Sequence, residues 1–194
     1  MVVDVETSGL DPARDRLLAI AAIGVRVDWG SGQATIELAD SFEVVLRQEQ
    51  PSSRENILLH GIGAGRQAAG VPAARALQAF ATFAAHSPLL AFHAGFDQTL
   101  VRRHVQAVPG LQLPNPWLDI EHLCAVAFPQ ERARSLDEWL ERFGISCLAR
   151  HQAAADALAE AQLLLRAWPR LAGECRSWDD VRRLAARHRW LPRG

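Results

Sequence analysis

The sequence predicts an α/β domain in which helices flank a mixed β-sheet, and three observations support this prediction. Strand candidates come first along the chain. Helical patterns then alternate with short apolar strands, an order typical of such a sheet. The 194 residues are enough for one ordinary domain. Hydrophobic residues make up 49% and charged residues 22% of the chain, which excludes a disordered or collagen-like protein.

Most of the predicted strands lie near the N-terminus. Apolar and alternating patterns predict strands at Val2–Thr7 and Leu17–Val27, with Ala34–Leu46 as the return strand. Residues 28–32, which include two glycines, predict the hairpin turn between the last two strands. A short, fully apolar run predicts one more strand at Leu89–Phe92.

The predicted helices follow from residue 73 onward. Over Ala73–Ala85, helical spacing places Leu77, Phe80 and Phe83 on one face. Similar patterns and helix-starting residues predict four more helices. These are Asp97–Ala107, Ile120–Ala127, Leu136–Phe143 and Ala153–Trp168.

Charge and cysteine content limit the function. The chain has 22 acidic residues and 21 arginines, with no lysine and a formal net charge of -1. The protein therefore does not bind a polyanion such as nucleic acid by net charge alone. If it acts on a polyanion, it must use a local site. No run approaches the roughly 18 apolar residues of a membrane helix, and no secretory signal pattern is present. Cys124, Cys147 and Cys175 are spaced too widely for a C-x-x-C pair and predict reduced thiols in a cytoplasmic protein.

The charge balance shifts near residue 168. Residues 1–168 carry 14 arginines against 19 acidic residues, whereas residues 169–194 carry 7 against 3. We predict a main domain over 1–168 and a basic helical extension over 169–194 that packs on the same domain. Ser177 with Asp180 resembles a capping box, and Val181, Leu184 and Ala185 form a narrow apolar stripe. We expect the helix arginines to face water, with a phosphate-contacting patch as the alternative. They are Arg182, Arg183, Arg187 and Arg189.

An acidic pair, Asp4 and Glu6, lies in the first predicted strand. Residues i and i+2 of a strand share a face, so the two carboxylates project together. They repel each other unless a cation compensates, and oxygen-only ligands suit Mg²⁺ or Mn²⁺. The pattern alone is weak, but the apolar flanks indicate a central strand, and Gly9 allows backbone to approach a ligand.

Two further acidic positions stand at predicted helix starts. Asp97 follows the strand at Leu89–Phe92, where helix capping alone explains an aspartate. His151 precedes the last long helix, and Asp156 follows it by five residues. The alanines between them predict a helix that approaches the sheet closely and brings Asp156 against the strand of Asp4 and Glu6.

Together these motifs resemble a known family. The order D-x-E-T-x-G-L, then F-D, then H-x-x-x-x-D resembles the DEDDh branch of the DnaQ-like 3'–5' exonucleases, which includes the proofreading epsilon chains of bacterial DNA polymerase III. The resemblance extends from residue 2 to about residue 168 and includes an H-G-I segment at residues 60–62. It implies a ribonuclease H-like fold.

The resemblance also implies a two-metal site. Asp4, Glu6 and Asp156 are expected to bind the first of two Mg²⁺ or Mn²⁺ ions, and Asp4 with Asp97 the second. His151 is expected to act as the general base, and an ordinary histidine pKa of about 6.5 suits that role. Two such ions stabilise the attacking and leaving oxygens of an in-line displacement.

The resemblance implies substrate contacts as well. Thr7 and Leu10 are expected beside the terminal nucleotide, with Leu10 as an apolar wedge against a base. The other expected substrate-binding residues are Gly9, His60, His93 and Phe96. Phe92 and His93 occupy a pair that is His-Asn in many relatives, which affects contacts to the nucleotide but leaves Asp97 in place.

The predicted function is a metal-dependent 3'–5' exonuclease that releases nucleoside monophosphates from single-stranded or frayed DNA ends. A catalytically silent nucleic-acid-binding or polymerase-associated module is the main alternative, and a small-molecule metallohydrolase is a third. RNA as substrate, a polymerase partner and the oligomeric state are open, and no membrane association is expected.

Overall fold

A five-stranded mixed sheet forms the centre of the protein, and a computed structural model describes residues 1–190. The strands are β1 (Val2–Thr7), β2 (Leu17–Asp28), β3 (Gln33–Val45), β4 (Leu89–Ala91) and β5 (Trp117–Asp119). Their order across the sheet is β3-β2-β1-β4-β5. β1 pairs antiparallel with β2 and parallel with β4, so the predicted mixed sheet is confirmed.

Two local features shape the strands around β1. In the hairpin between β2 and β3, the Asp28 carboxylate accepts a hydrogen bond from the Gly30 amide at 2.8 Å, as expected for a polar turn. At the end of β1, the register with β2 shifts between Glu6 and Thr7. This shift turns the chain out of the sheet directly after the acidic pair.

Eight α-helices lie among the described residues. Two 3-10 turns, Ala172–Glu174 and Arg187–Trp190, follow the last two helices. The predicted helices are all present, with ends that differ by a few residues. The helices are α1 (Arg54–His60), α2 (Ala64–Ala68), α3 (Ala73–Ala84), α4 (Gly95–Gln106), α5 (Ile120–Ala127), α6 (Leu136–Phe143), α7 (Ala153–Leu171) and α8 (Trp178–Ala186).

Helices α1 and α2 were not predicted, because they are short and lack a continuous apolar face. Side-chain hydrogen bonds hold them instead. Ser53 caps α1 by accepting from the Asn56 amide at 3.2 Å, and the buried Gln67 of α2 donates to the Ile62 carbonyl at 2.7 Å. The polar segment after residue 51 therefore becomes helical at Arg54.

The sheet is covered on both faces. One apolar cluster joins β1, β2 and β4 to α5, α6, α7 and α8, and a second joins the opposite face to α3 and α4. The long helix α7 crosses β1, β2 and β3. Its buried alanines, among them Ala153, Ala157 and Ala161, leave little side chain between helix and sheet. The predicted close approach of this helix is thus observed.

The chain after residue 168 continues α7 before it forms the extension. The helix runs through Pro169 to the buried Leu171, so the boundary drawn at residue 168 falls inside it. α8 then docks on α5 through its buried Val181 and Leu184, while its arginines are exposed. The end of the predicted extension, residues 191–194, lies outside the described residues.

The described helices include none that is both long and apolar enough to cross a lipid bilayer.

Candidate active site

Three carboxylates meet where β1 ends and α7 begins. One oxygen each from Asp4, Glu6 and Asp156 lies within 4.8 Å of the other two. Asp4 and Glu6 share a face of β1, and the Ala-rich first turns of α7 bring Asp156 against that face. Glu6 and Asp156 are buried, with 9% and 4% of their surface exposed. This is the convergence that the sequence predicted.

Asp97 lies beside these three residues, in the first turn of α4. It is 5% exposed, and the Val5 amide of β1 donates a hydrogen bond to it. Burial raises the pKa of Asp97 to about 8, although its hydrogen bonds to backbone amides oppose this shift. We refer to Asp4, Glu6, Asp97 and Asp156 as the carboxylate cluster.

The cluster holds more negative charge than its surroundings neutralise. Burial raises the pKa of Asp4 well above its ordinary value, and the neighbouring carboxylates raise it further. Burial also raises the pKa of Glu6 to about 8; Asp156 adds to this shift and Arg150 opposes it. A set of oxygen donors that is buried and mutually repelling fits a hard divalent cation such as Mg²⁺ or Mn²⁺.

Arg150 supplies positive charge at the edge of the cluster. Its guanidinium pairs with both Asp156 and Asp137, and its Nε lies 2.5 Å from Asp137 Oδ1. The His151 amide and the Cys147 thiol also donate to Asp156, at 2.7 and 3.4 Å. Asp156 is thus held by three donors from the segment that leads into α7.

His151 stands on the loop just before α7. Its backbone φ is +61°, in the left-handed region, and its side chain is exposed. The left-handed conformation turns the chain sharply, so that the His151 amide reaches the Asp156 carboxylate. The structure therefore ties the backbone of His151 to the cluster and leaves its ring on the solvent side.

The end of β1 and the loop after it contain three predicted substrate-binding residues. The Thr7 hydroxyl donates to the Gly9 carbonyl at 2.5 Å, which closes a tight turn. A Cβ at Gly9 would lie 2.5 Å from a carboxylate oxygen of Asp15, so a larger residue there would displace the Asp15 side chain. Leu10 is 91% exposed, and an apolar side chain at that exposure is available to a ligand.

His60 is buried, and its predicted contact with substrate is corrected by the structure. It is 2% exposed, its Nδ1 accepts from the Ile62 amide, and its Nε2 lies 2.8 Å from Asn56 Oδ1. The side-chain amide of Asn56 in turn donates a hydrogen bond from Nδ2 to the Thr7 carbonyl at 2.8 Å. His60 therefore supports the end of β1 from the protein interior, through its contact with Asn56.

His93 and Phe96 lie in the turn between β4 and α4. His93 has a φ of +57° and an exposed ring, whose Nε2 lies 3.4 Å from a Glu121 carboxylate oxygen. Phe96 is half-buried and packs against the α3 and α4 cluster. Both are near Asp97 in sequence, but the His93 ring is paired on the side toward α5.

Comparison with known proteins identifies the family. A family model described as an exonuclease matches residues 1–164 of the chain. The chain belongs to this exonuclease family. The predicted family and the predicted enzyme class are therefore confirmed.

The relatives of this exonuclease domain include polymerase-associated proteins. The domain is 33% identical over 174 residues to a DNA polymerase III subunit epsilon-like protein of Rhodobacter capsulatus, a match that covers 88% of this chain and 24% of the relative. It is 29% identical over 166 residues to DNA polymerase III PolC-type of Thermotoga maritima, covering 86% and 12%. The chain thus spans a quarter or less of the length of these curated relatives.

Solved exonuclease structures share the fold of this domain. Exonuclease I of E. coli in complex with a dT13 oligonucleotide superposes with a TM-score of 0.64 at 19% identity, over 85% of this chain and 40% of that one. Exonuclease X in complex with 5' overhanging duplex DNA gives 0.63 at 18% identity, over 87% and 90%. The predicted ribonuclease H-like fold is confirmed.

The exonuclease domain also buries a fifth carboxylate that the sequence reasoning missed. Glu160 follows Asp156 by one helical turn and is 2% exposed, and its Oε2 accepts from the Phe92 amide at 3.0 Å. Burial, and then the nearby Asp97, raise its pKa well above the ordinary value. The spacing of four residues between Asp156 and Glu160, which places both on one face of an otherwise apolar helix, was the sequence signal for this buried carboxylate.

Proposed function

We propose that this exonuclease domain hydrolyses phosphodiester bonds at the 3' end of nucleic acids and releases nucleoside monophosphates. The observation that carries the proposal is the convergence of Asp4, Glu6 and Asp156, with Asp97 beside them, in a domain of the exonuclease family. A binding module has no need for four carboxylates in a poorly hydrated site, because their mutual repulsion opposes folding.

The cluster supports two Mg²⁺ or Mn²⁺ ions as cofactors. Asp4, Glu6 and Asp156 would hold one ion, and Asp4 with Asp97 the other. Bound there, the ions would supply Lewis-acid stabilisation of the attacking and leaving oxygens. Among the structural neighbours, E. coli exonuclease I has a zinc-bound form in complex with single-stranded DNA. The oxygen-only donors of this chain favour harder cations than zinc.

His151 is the proposed general base. Its amide is anchored to Asp156 at 2.7 Å, while its exposed ring is free to turn toward a water molecule at the cluster. A neutral imidazole ring can accept a proton from that water and pass it to solvent. Asp156 thus serves both as a carboxylate of the site and as the anchor of its base.

The substrate we propose is a single-stranded or frayed DNA 3' end. Thr7 ends β1, Gly9 and Leu10 follow it on the loop after β1, and Phe96 directly precedes Asp97 in the first turn of α4. Structural neighbours bind a dT13 oligonucleotide and 5' overhanging duplex DNA, which supports DNA rather than RNA as the first substrate to test. The names of the curated relatives support a polymerase as partner.

We place the protein in the cytoplasm, because its three cysteines are unpaired and Cys124 and Cys175 are buried as free thiols.

A 5'-labelled oligonucleotide tests the activity. Single-stranded DNA, duplex DNA and short RNA are incubated with the full chain and Mg²⁺ or Mn²⁺, and we expect a descending ladder that is fastest on single-stranded DNA. Asp156→Asn should abolish it, and His151→Asn should slow it by about 10²–10⁴-fold, the usual contribution of a general base. Asp179→Asn, on the exposed face of α8, is the matched control and should leave the ladder unchanged. Absence of any ladder on all three substrates would refute the proposal.

A further inference from the structure

A second group of metal-ligating side chains lies outside the carboxylate cluster, at the far end of β5. Glu121 and His122 open α5, His188 lies in the 3-10 turn after α8, and His93 comes from the β4–α4 turn. These four residues, here called the histidine cluster, come from three separate parts of the chain. β5 is two strands away from β1 in the sheet, and the histidine cluster shares no residue with the carboxylate cluster.

The side chains of the histidine cluster converge. Ligand atoms of Asp119, Glu121 and His122 all lie within 4.8 Å of one another. The His122 and His188 rings stack with centroids 3.4 Å apart and planes 5° from parallel, and His93 Nε2 lies 3.4 Å from Glu121 Oε2. Three imidazoles and a carboxylate thus gather at one place on the surface.

The hydrogen bonds show which of these groups position their neighbours and which have a lone pair available to bind a metal. Both Asp119 oxygens are used by backbone amides, those of His93 and Ala94 at 3.1 Å and of Glu121 at 2.9 Å, so Asp119 positions the other groups. His188 Nδ1 lies 2.8 Å from the Ala185 carbonyl, which assigns the proton to Nδ1 and leaves Nε2 with a lone pair. A backbone carbonyl on one ring nitrogen is the usual support of a metal-binding histidine.

The charge state favours neutral imidazoles. Two rings in face-to-face contact at 3.4 Å cannot both carry a proton charge without strong repulsion, and Arg189 follows directly in the chain. Neutral imidazole nitrogens together with a carboxylate form the donor set that borderline transition metals prefer.

We propose that Glu121, His122 and His188, with His93 as the fourth ligand, form a binding site for a transition metal of the Zn²⁺ class. The lone pairs of two parallel rings do not point at one centre, so one ring has to leave the stack on binding. The open groove beside His122 and His188 has a volume of about 740 Å³, which leaves room for this rotation and for entry of the ion.

Such a site would join the C-terminal turn to the nuclease body. His188 belongs to the turn after α8, Glu121 and His122 to α5, and His93 to the turn that leads to Asp97 four residues later. We therefore expect the metal to stabilise the docked extension, since a ligand that binds only the folded state raises its stability.

A Co²⁺ titration tests the site. The full chain is titrated in the Asp4→Asn background, which weakens binding at the carboxylate cluster, and the visible absorption of low-coordinate Co²⁺ reports the histidine cluster. We expect one Co²⁺ per chain, displaced by Zn²⁺. His122→Ala/His188→Ala should lower the affinity by about 100-fold or more, since removal of supporting groups alone costs 10–100-fold. His86→Ala, an exposed histidine before β4, is the matched control.

Two outcomes would overturn the proposal. One is the absence of Co²⁺ absorption in the Asp4→Asn chain, and the other is an unchanged titration in His122→Ala/His188→Ala. Ring nitrogen NMR of the unsubstituted His122 and His188 gives an independent reading that does not depend on the variants folding. Zn²⁺ should shift the Nε2 resonance of His188, and an unchanged spectrum would contradict the assignment.

Discussion

The guanidinium group of Arg150 forms an ion pair with the Asp156 carboxylate at the edge of the carboxylate cluster. Asp156 is 5% and Arg150 29% exposed in their side chains, so solvent screens the pair only in part. The pair offsets some of the repulsion that raises the pKa of Glu6. Arg150 thus neutralises part of the negative charge of the cluster.

We predict that Arg150→Gln tightens divalent metal binding. The guanidinium and a metal ion compete for the same carboxylate, so its removal should lower the Kd for Mn²⁺ by roughly tenfold, or about 1.4 kcal/mol. Isothermal titration calorimetry of the full chain measures this. Arg26→Gln, which removes the exposed pair with Glu37 on the β2–β3 hairpin, is the control. Equal Mn²⁺ affinities for wild type and Arg150→Gln would exclude competition.

The metal-free protein should lose stability as the pH rises. The pKa values of Glu6 and Asp97 are raised to about 8 in the folded state, so between their ordinary values and pH 8 the folded chain binds more protons than the unfolded chain. The free energy of unfolding therefore decreases as the pH rises through this window. Thermal unfolding in EDTA from about pH 5 to about pH 8 should show a falling Tm.

Saturating Mg²⁺ should reverse this trend, because the ion binds the deprotonated carboxylates and its stabilisation grows with pH. Glu6→Gln is the matched variant, and its Tm in EDTA should depend less on pH because one raised carboxyl is gone. A wild-type Tm in EDTA that rises over the same range would contradict the assignment of buried, repelling carboxylates.

The sequence could predict those parts of the fold and of the site that depend on local spacing along a strand or a helix. The i to i+2 spacing of Asp4 and Glu6 and the alanines before Asp156 were enough to place three carboxylates together, since strand and helix periods are local properties. The role of His60 was not readable in this way. Its burial depends on Asn56 and on the backbone of the distant Thr7, contacts that no spacing in the sequence expresses.

The roles of Arg150 and Glu160 also could not be predicted from local sequence patterns. Each is a charged residue next to a recognised motif, where a solvated side chain is the ordinary expectation. Only the packing of α7 against β1 and β4 turns Glu160 inward, and only the sharp turn at His151 brings Arg150 back to Asp156. Both depend on tertiary geometry.

Glu160 should matter for stability through its hydrogen bond more than through its charge. Glu160→Ala would leave the buried Phe92 amide without an acceptor, at a cost of about 1–3 kcal/mol. Glu160→Gln keeps an acceptor oxygen and cannot carry a charge beside Asp97, so at pH 8 it should be at least as stable as wild type. Urea unfolding measures both, with the exposed Glu174→Ala as control. Equal losses in the two Glu160 variants would show that the charge itself is required.

Leu10 should affect substrate binding without affecting the fold. Its side chain is 91% exposed, so Leu10→Ala removes almost no buried surface and should leave the Tm within about 1 °C of wild type, as for surface substitutions generally. If Leu10 packs against the terminal base, the loss of that apolar contact should raise KM for a single-stranded oligonucleotide by about 3–10-fold, with kcat nearly unchanged.

The exposed Leu148, 95% accessible on the loop before His151, provides a matched control, and Leu148→Ala should leave both constants unchanged. The split between KM and kcat separates a binding role from a catalytic one, because a group that acts only in the transition state lowers kcat. A fall in kcat at constant KM would assign Leu10 to the chemical step, and unchanged constants would remove it from the substrate site.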